Sequence, residues 1–240
     1  MSVLKTHKLD KRFSGVHAVR GIDMEVAAGE IVGLFGPNGA GKTTLFNIIA
    51  GRLMPDSGTV SLHGQDVTAL PAWRRARLGI GRTFQVTRPF RDLTTLENVL
   101  AGVPRFGSMR DHGIDAARAL LTEVGLGNRA DDPAGRLTLG MLKRLEVARV
   151  LALEPTLLLL DEPLAGLSAR EASEILDLMV KLKTNIAIVM VEHNVRQSLP
   201  VCDRAIVLDA GAQIATGTPD EIRVDPKVVK AYLGAEDNES

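Results

Sequence analysis

The run Gly36-Pro37-Asn38-Gly39-Ala40-Gly41-Lys42-Thr43 carries the clearest chemistry in the sequence. It has the form G-x-x-x-x-G-K-S/T, with an apolar stretch before it and a helical pattern after it. Glycines let successive backbone N–H groups turn inward around phosphate oxygens, and a helix N-terminus adds positive potential. The phosphate-binding set expected here is Asn38, Gly39, Ala40, Gly41, Lys42, Thr43 and Thr44. Lys42 can reach β- and γ-phosphates, and the Thr43 hydroxyl can ligate magnesium.

A second acidic element follows downstream, Leu157-Leu158-Leu159-Leu160-Asp161-Glu162. Consecutive leucines suit a strand buried on both faces, whose end can present Asp161 to a magnesium shell. Glu162, the next residue, can polarise an attacking water. These two elements point to a nucleotide triphosphatase without saying which kind. Gln85 and His193 stand just past two further strand-like runs, from Ile80 and over Ile186–Val191. There they are either ordinary polar residues at strand ends or members of the phosphate site, since ligands gather at the carboxyl ends of parallel strands.

The elements that must position these groups alternate along the chain, as in an α/β protein with a largely parallel sheet. Buried strands are predicted at Glu30–Phe35, Thr156–Leu160, Ile186–Val191 and Arg204–Leu208. Val3–Leu9 and Ile22–Val26 read as antiparallel strands with one exposed face. Helices are predicted at Thr43–Ala50, Leu96–Gly102, Asp115–Val124, Leu139–Leu153 and Ala169–Lys183. The expectation is one domain over 1–240. An α/β core at 1–87 and 154–234 carries an inserted helical subdomain at about 88–153, and 235–240 frays as a disordered tail. Trp73 with Arg74-Arg75-Ala76-Arg77 reads as a solvated amphipathic helix.

Lys and Arg together number 29, as do Asp and Glu, so the net charge is zero. That excludes the whole-molecule field of a nucleic-acid binder, and no nucleic-acid partner is expected. The single cysteine, Cys202, forbids an intrachain disulfide and is expected to be a buried, inert thiol. Met1–Asp10 holds no long apolar region, so no signal peptide is expected. The run Leu157–Leu160 is far too short to cross a bilayer.

Taken in order, Gly36–Thr43, Gln85, Leu137-Thr138-Leu139-Gly140-Met141, Asp161-Glu162 and His193 resemble the motifs of ATP-binding-cassette ATPases over nearly the whole chain. They match the family's phosphate loop, glutamine loop, signature, acidic strand and histidine switch. The sequence is similar in particular to ATPases of branched-chain amino-acid importers. Arg82-Thr83-Phe84-Gln85, Arg144-Leu145-Glu146-Val147-Ala148-Arg149, Val191-Glu192-His193-Asn194 and the ending Ala231-Tyr232-Leu233-Gly234 carry that likeness.

The resemblance implies ATP and Mg2+ as ligands, with catalytic roles for Glu162, His193, Gln85 and Lys42. It implies magnesium at Thr43, Gln85 and Asp161, and Thr138 and Gly140 against the γ-phosphate of a second cassette. Phe13 is either the ring that stacks on adenine or a core residue, and Val19 lies where the ribose is touched. The implied partners are a second ATPase subunit (the same chain or a sister) and transmembrane permease subunits. A periplasmic or extracellular solute-binding protein acts indirectly, and the implied place is the cytoplasmic face of the membrane. Val86, Pro89, Phe90, Leu93 and Leu96, edged by Arg82, Arg88 and Arg91, form either a groove for a permease helix or ordinary core.

The family signature begins Leu-Ser and usually has glutamine fifth, where this chain has Thr138 and Met141. Ser168 stands where many relatives carry aspartate. These departures mean either drift with catalysis intact or a weak signature face in an asymmetric pair. Three other readings stay open: a lipopolysaccharide-export-type ATPase, a soluble cassette ATPase, and a non-hydrolysing nucleotide-binding partner.

Overall fold

The computed structural model describes residues 2–85, 87–101 and 110–236. The leucine run lies in β7 (Leu157–Asp161), where every residue is buried. β7 pairs in parallel with β6 (Ile80–Arg82) on one side and β8 (Ala187–Val191) on the other. β8 pairs with β3 (Ile31–Phe35), and β3 with β9 (Arg204–Asp209), again in parallel. Only β10 (Ala212–Gly217), at the edge, runs antiparallel, giving the order β10-β9-β3-β8-β7-β6.

Alternation along each strand sends neighbours to opposite faces, and each face has its own core. Leu158 and Leu160 join Ile31, Phe35, Ile188 and Met190 in one. Leu157 and Leu159 join Val32, Leu34 and Val189 in the other. The second core is closed by α1 (Lys42–Ile49) and an antiparallel sheet, β2-β1-β4-β5. That sheet is built from β1 (Ser2–Phe13), β2 (Val16–Ala27), β4 (Ser57–Leu62) and β5 (Gln65–Asp66). The first core is covered by α6 (Ala169–Leu182) and by helices lying between β6 and β7 in sequence. Those are α3 (Thr95–Ala101), α4 (Arg110–Glu123) and α5 (Leu139–Leu151), after a short α2 (Ala72–Arg77) that precedes β6.

Two expectations need correction here. Arg75 is not solvated: it is fully buried, although Trp73, Arg74 and Arg77 on the same helix are exposed. Its guanidinium donates to the carbonyls of Ile48 (2.7 Å), Ile49 (2.8 Å), Thr68 (2.7 Å) and Leu70 (3.0 Å). Two of these are the last carbonyls of α1, which have no partner one full turn on within the helix. A cation there also meets the negative end of the helix dipole. The predicted helix 139–153 stops at Leu151, because Glu154 takes a left-handed backbone (φ 52°) before Pro155.

The chain ends in α7 (Val195–Ser198), α8 (Pro219–Val224) and α9 (Pro226–Glu236), none of them predicted. Thr218 and Glu221 form a capping box on α8 with Pro219 at its start, a signal that the sequence does contain. α9 runs through Ala235 and Glu236, which the expected tail included; residues 237–240 lie outside the described part, as does Gly102. Cys202 is buried among the core residues, and burial raises its pKa to about 12.

Candidate functional site

Gly36 follows β3, and its φ of 142° with those of Gly39 (76°) and Gly41 (100°) bends the loop back towards α1. At Gly41 a side chain is also excluded sterically, since a Cβ there would lie 2.1 Å from the Ala18 carbonyl oxygen. The bend leaves the start of α1 without any side-chain cap. Its N–H groups are thus available to an oxyanion ligand. Lys42, nearly buried, donates from Nζ to the carbonyls of Gly36 (2.6 Å) and Pro37 (2.8 Å). Desolvation pulls its pKa below the usual lysine value, and the Glu162 charge opposes that shift. An ammonium held by neutral carbonyls in a dry loop is prepared for phosphate, which it prefers as a charge-assisted partner.

Glu162 is the hub of the site. It follows β7 in a left-handed backbone (φ 47°), fixed by its N–H to the Val191 carbonyl of β8 (3.0 Å). Its Oε2 accepts from the Gln85 amide (2.8 Å), and its Oε1 lies 2.8 Å from His193 Nε2. Three residues that the sequence left 31 and 77 positions apart therefore meet on one carboxylate. Next to it, Glu192 is buried and accepts from the N–H groups of Leu164 (2.7 Å) and His193 (3.2 Å). Burial raises the Glu192 pKa.

Asp161 shows a partner that sequence reasoning missed. Its Oδ2 accepts from Arg82 (2.8 Å), whose other terminal nitrogen reaches Asn47 of α1 (2.7 Å). Both side chains of the ion pair are 9% exposed, and Arg82 lines the cleft beside Phe84 and Arg88 with its guanidinium engaged by Asp161 and Asn47. Thr43, Gln85 and Asp161 offer a hydroxyl, an amide oxygen and a carboxylate. Magnesium takes such hard oxygens from one or two side chains and the rest from water and phosphate. Among the described residues no group of three or more His, Cys, Asp or Glu side chains is placed to hold a metal. The donors present fit an ion that arrives with a nucleotide.

Thr43, Thr44, Gln85 and Asp161 open on a cleft of about 990 Å3 that Phe13 also lines. Phe13 is 43% exposed at the end of β1, with Lys11 over its ring, so it is not a core residue. Val19 is: it is fully buried in the second core, and its side chain is not available to a ribose. The far end of the cleft is bounded by Arg52, Leu53, Phe84, Arg88, Arg149 and Leu153. Phe90 nearby is 50% exposed beneath Arg149, whereas Leu96 belongs to the first core rather than to any groove. Val86 lies outside the described residues.

The signature segment opens α5. Thr138 is its N-cap and accepts the Met141 N–H (3.4 Å), while Met141 packs half-buried against the first core. Ser168 caps α6 and forms a capping box with Glu171. Ser168 holds the Glu171 carboxyl below its usual pKa, and the Gly140 N–H contributes in the same direction. A Cβ on Gly140 would sit 2.8 Å from Glu171 Oε1, so within this chain the close approach at Gly140 is made by Glu171. A second missed residue is Tyr232 of α9, whose hydroxyl accepts the Gly36 N–H (2.8 Å). The ending that contains it was visible only as a family cue.

Comparison with known proteins gives the following. Residues 19–165 match the family model described as ABC transporter, and residues 212–238 the one described as Branched-chain amino acid ATP-binding cassette transporter. The High-affinity branched-chain amino acid transport ATP-binding protein BraF of Pseudomonas aeruginosa is 37% identical, with 97% of this chain and 98% of BraF covered. LivG of Escherichia coli, described in the same words, is 38% identical at the same coverage. The Lipopolysaccharide export system ATP-binding protein LptB of Acidithiobacillus ferridurans is 39% identical, with 97% of each chain covered. The solved ADP conformation of an ATP-binding cassette of an ABC transporter superposes with a TM-score of 0.90 at 31% identity. That match covers 98% of this chain and 99% of the other.

Proposed function

The chain belongs to the ATP-binding-cassette transporter family as an ATP-hydrolysing subunit, and on that footing we propose that it energises an importer of branched-chain or related amino acids. Full-length identity does not separate import from lipopolysaccharide export, since relatives of both kinds lie between 37% and 39%. The observation that carries the importer reading is the branched-chain model over residues 212–238. That segment includes α9, whose Tyr232 reaches the phosphate loop, so it is tied to the nucleotide site.

ATP binds along the cleft with its adenine against Phe13 and its phosphates in the loop. Lys42 leaves the carbonyls of Gly36 and Pro37 for the β- and γ-phosphates. Thr43, Gln85 and Asp161 would hold magnesium, which would supply positive charge against the phosphates. Arg82 keeps Asp161 aimed at that position. Glu162 accepts a proton from the attacking water as general base, and His193 turns from Glu162 to the γ-phosphate.

A second cassette supplies its signature over this site, while Thr138 and Gly140 serve the partner's ATP. ATP-driven closure of the pair is a ligand biasing a two-state interface. Permease subunits, which carry the membrane spans, dock near exposed Phe90 and Arg88. No helix among the described residues is long and apolar enough to cross a membrane.

Proteoliposomes holding the chain with its permease subunits test the proposal. ATP-dependent uptake of leucine, isoleucine or valine that stops with Glu162→Gln supports import. ATPase activity stimulated by lipopolysaccharide, without amino-acid uptake, would move the chain to the export group.

A further inference from the structure

α5 carries three polar side chains at a spacing of three, Lys143, Glu146 and Arg149, and each grips the backbone of the segment that holds Gln85. Lys143 is 5% exposed, and its Nζ donates to the carbonyls of Gln85 (3.3 Å) and Glu162 (3.1 Å). Glu146 accepts the Phe84 N–H (2.7 Å), and Arg149 donates to the Arg88 carbonyl (3.0 Å). Positions three apart share a helix face, so this stripe meets the backbone at Phe84, Gln85 and Arg88.

Lys143 differs from the other two because it holds two chain segments at once. A buried ammonium is costly unless its protons are satisfied, and here they meet the carbonyls of Gln85 and Glu162. The Glu162 backbone is in the left-handed region, which a non-glycine residue adopts only when its surroundings hold it there. Its N–H is fixed by β8 and its carbonyl by Lys143.

We propose that Lys143 is a positioning residue that couples this chain's own ATP site to the signature face it offers to the partner. By joining Gln85 and Glu162 to α5, it makes any shift of those residues on nucleotide binding move Thr138–Gly140 at the start of the same helix. This rests on the assignment of Gln85 and Glu162 to the ATP site. The coupling acts as a rigid connection between two sites through one helix, with a ligand biasing both.

The test places a reporter tryptophan at exposed Leu139 (Leu139→Trp) with the native tryptophan removed (Trp73→Phe). Emission and affinity are read during titration with the non-hydrolysable analogue adenylyl imidodiphosphate and magnesium. An emission change that follows binding in the reporter protein, is lost in Lys143→Met at unchanged affinity, and returns in Lys143→Arg establishes the coupling. Hydrolysis in Lys143→Met then falls on the order of tenfold or more, as expected when reacting groups are misplaced.

An unchanged emission response in Lys143→Met overturns the inference. So does a loss of response that only follows a loss of affinity or folded content, which marks a structural role. Should Lys143→Met fail to fold, Lys143→Gln is read by the same criteria. A reporter protein that binds no nucleotide at all contradicts the assignment of the ATP site itself.

Discussion

α1 and α5 both begin at a segment assigned to phosphate, yet the chain finishes the two helix starts differently. α1 has no side-chain cap, three glycines at positive φ before it and a desolvated lysine at its first position. α5 is capped by Thr138, has Met141 turned into the core, and has Glu171 against Gly140. The first leaves its helix start uncapped by any side chain, with a desolvated ammonium beside it. The second is already satisfied within its own chain, which fits the proposed role of a surface that meets phosphate only with a second cassette. Electrostatics agree, since a carboxylate at a helix start is stabilised by the same N–H groups that would receive phosphate.

The largest loss is expected at α1. Lys42→Ala removes a charge-assisted partner of the phosphates and is expected to weaken ATP binding by about 3 kcal/mol, roughly a hundredfold. Equilibrium binding of a fluorescent ATP analogue checks it. The opposite end of α1 is held by Arg75, and Arg75→Met strands several buried carbonyls. A loss of roughly 3 kcal/mol in urea unfolding is expected, with ATP binding weakened only as far as folding fails.

At α5 the effects are smaller. Thr138→Ala deletes the cap and is expected to cost about 1 kcal/mol of stability by the same unfolding measurement. Met141→Gln adds a polar group where the helix is already capped and its neighbour already engaged. Little change in stability is expected, within about 0.5 kcal/mol. If Met141→Gln alone raised ATPase activity several-fold, the weak-signature reading of this chain would gain over simple drift.

Local patterns in the sequence carry much of this arrangement. The phosphate loop is a local pattern, and β7 is four leucines buried on both faces, so both could be read from neighbouring residues. Placing Gln85, Glu162 and His193 past the ends of strands left their meeting as one of two alternatives, and the structure brings all three together on the Glu162 carboxylate. What stayed hidden depends on contacts between distant segments. Arg82 pairs with Asp161 across 79 positions, and Tyr232 reaches Gly36 across 196.

Arg75 looked like one of a solvated basic run because periodicity cannot show that carbonyls of α1 wait above one face of α2. Val19 was placed at the ribose by resemblance, but its neighbours in β2 turn it into the core. β4 and β10 escaped because half-exposed strands with glycine and serine lack a strong apolar alternation. Tyr232 offers a further check on the same theme. Tyr232→Phe removes one hydrogen bond to the loop, and a loss of about 1 kcal/mol in nucleotide affinity or stability is expected.

The most direct test of the account is steady-state MgATP hydrolysis by the purified chain across protein concentration, beside Glu162→Gln. Activity per chain that rises with concentration, and that falls by orders of magnitude in Glu162→Gln while ATP still binds, is the predicted result. Hydrolysis by Glu162→Gln at the parental rate would contradict the account at its centre.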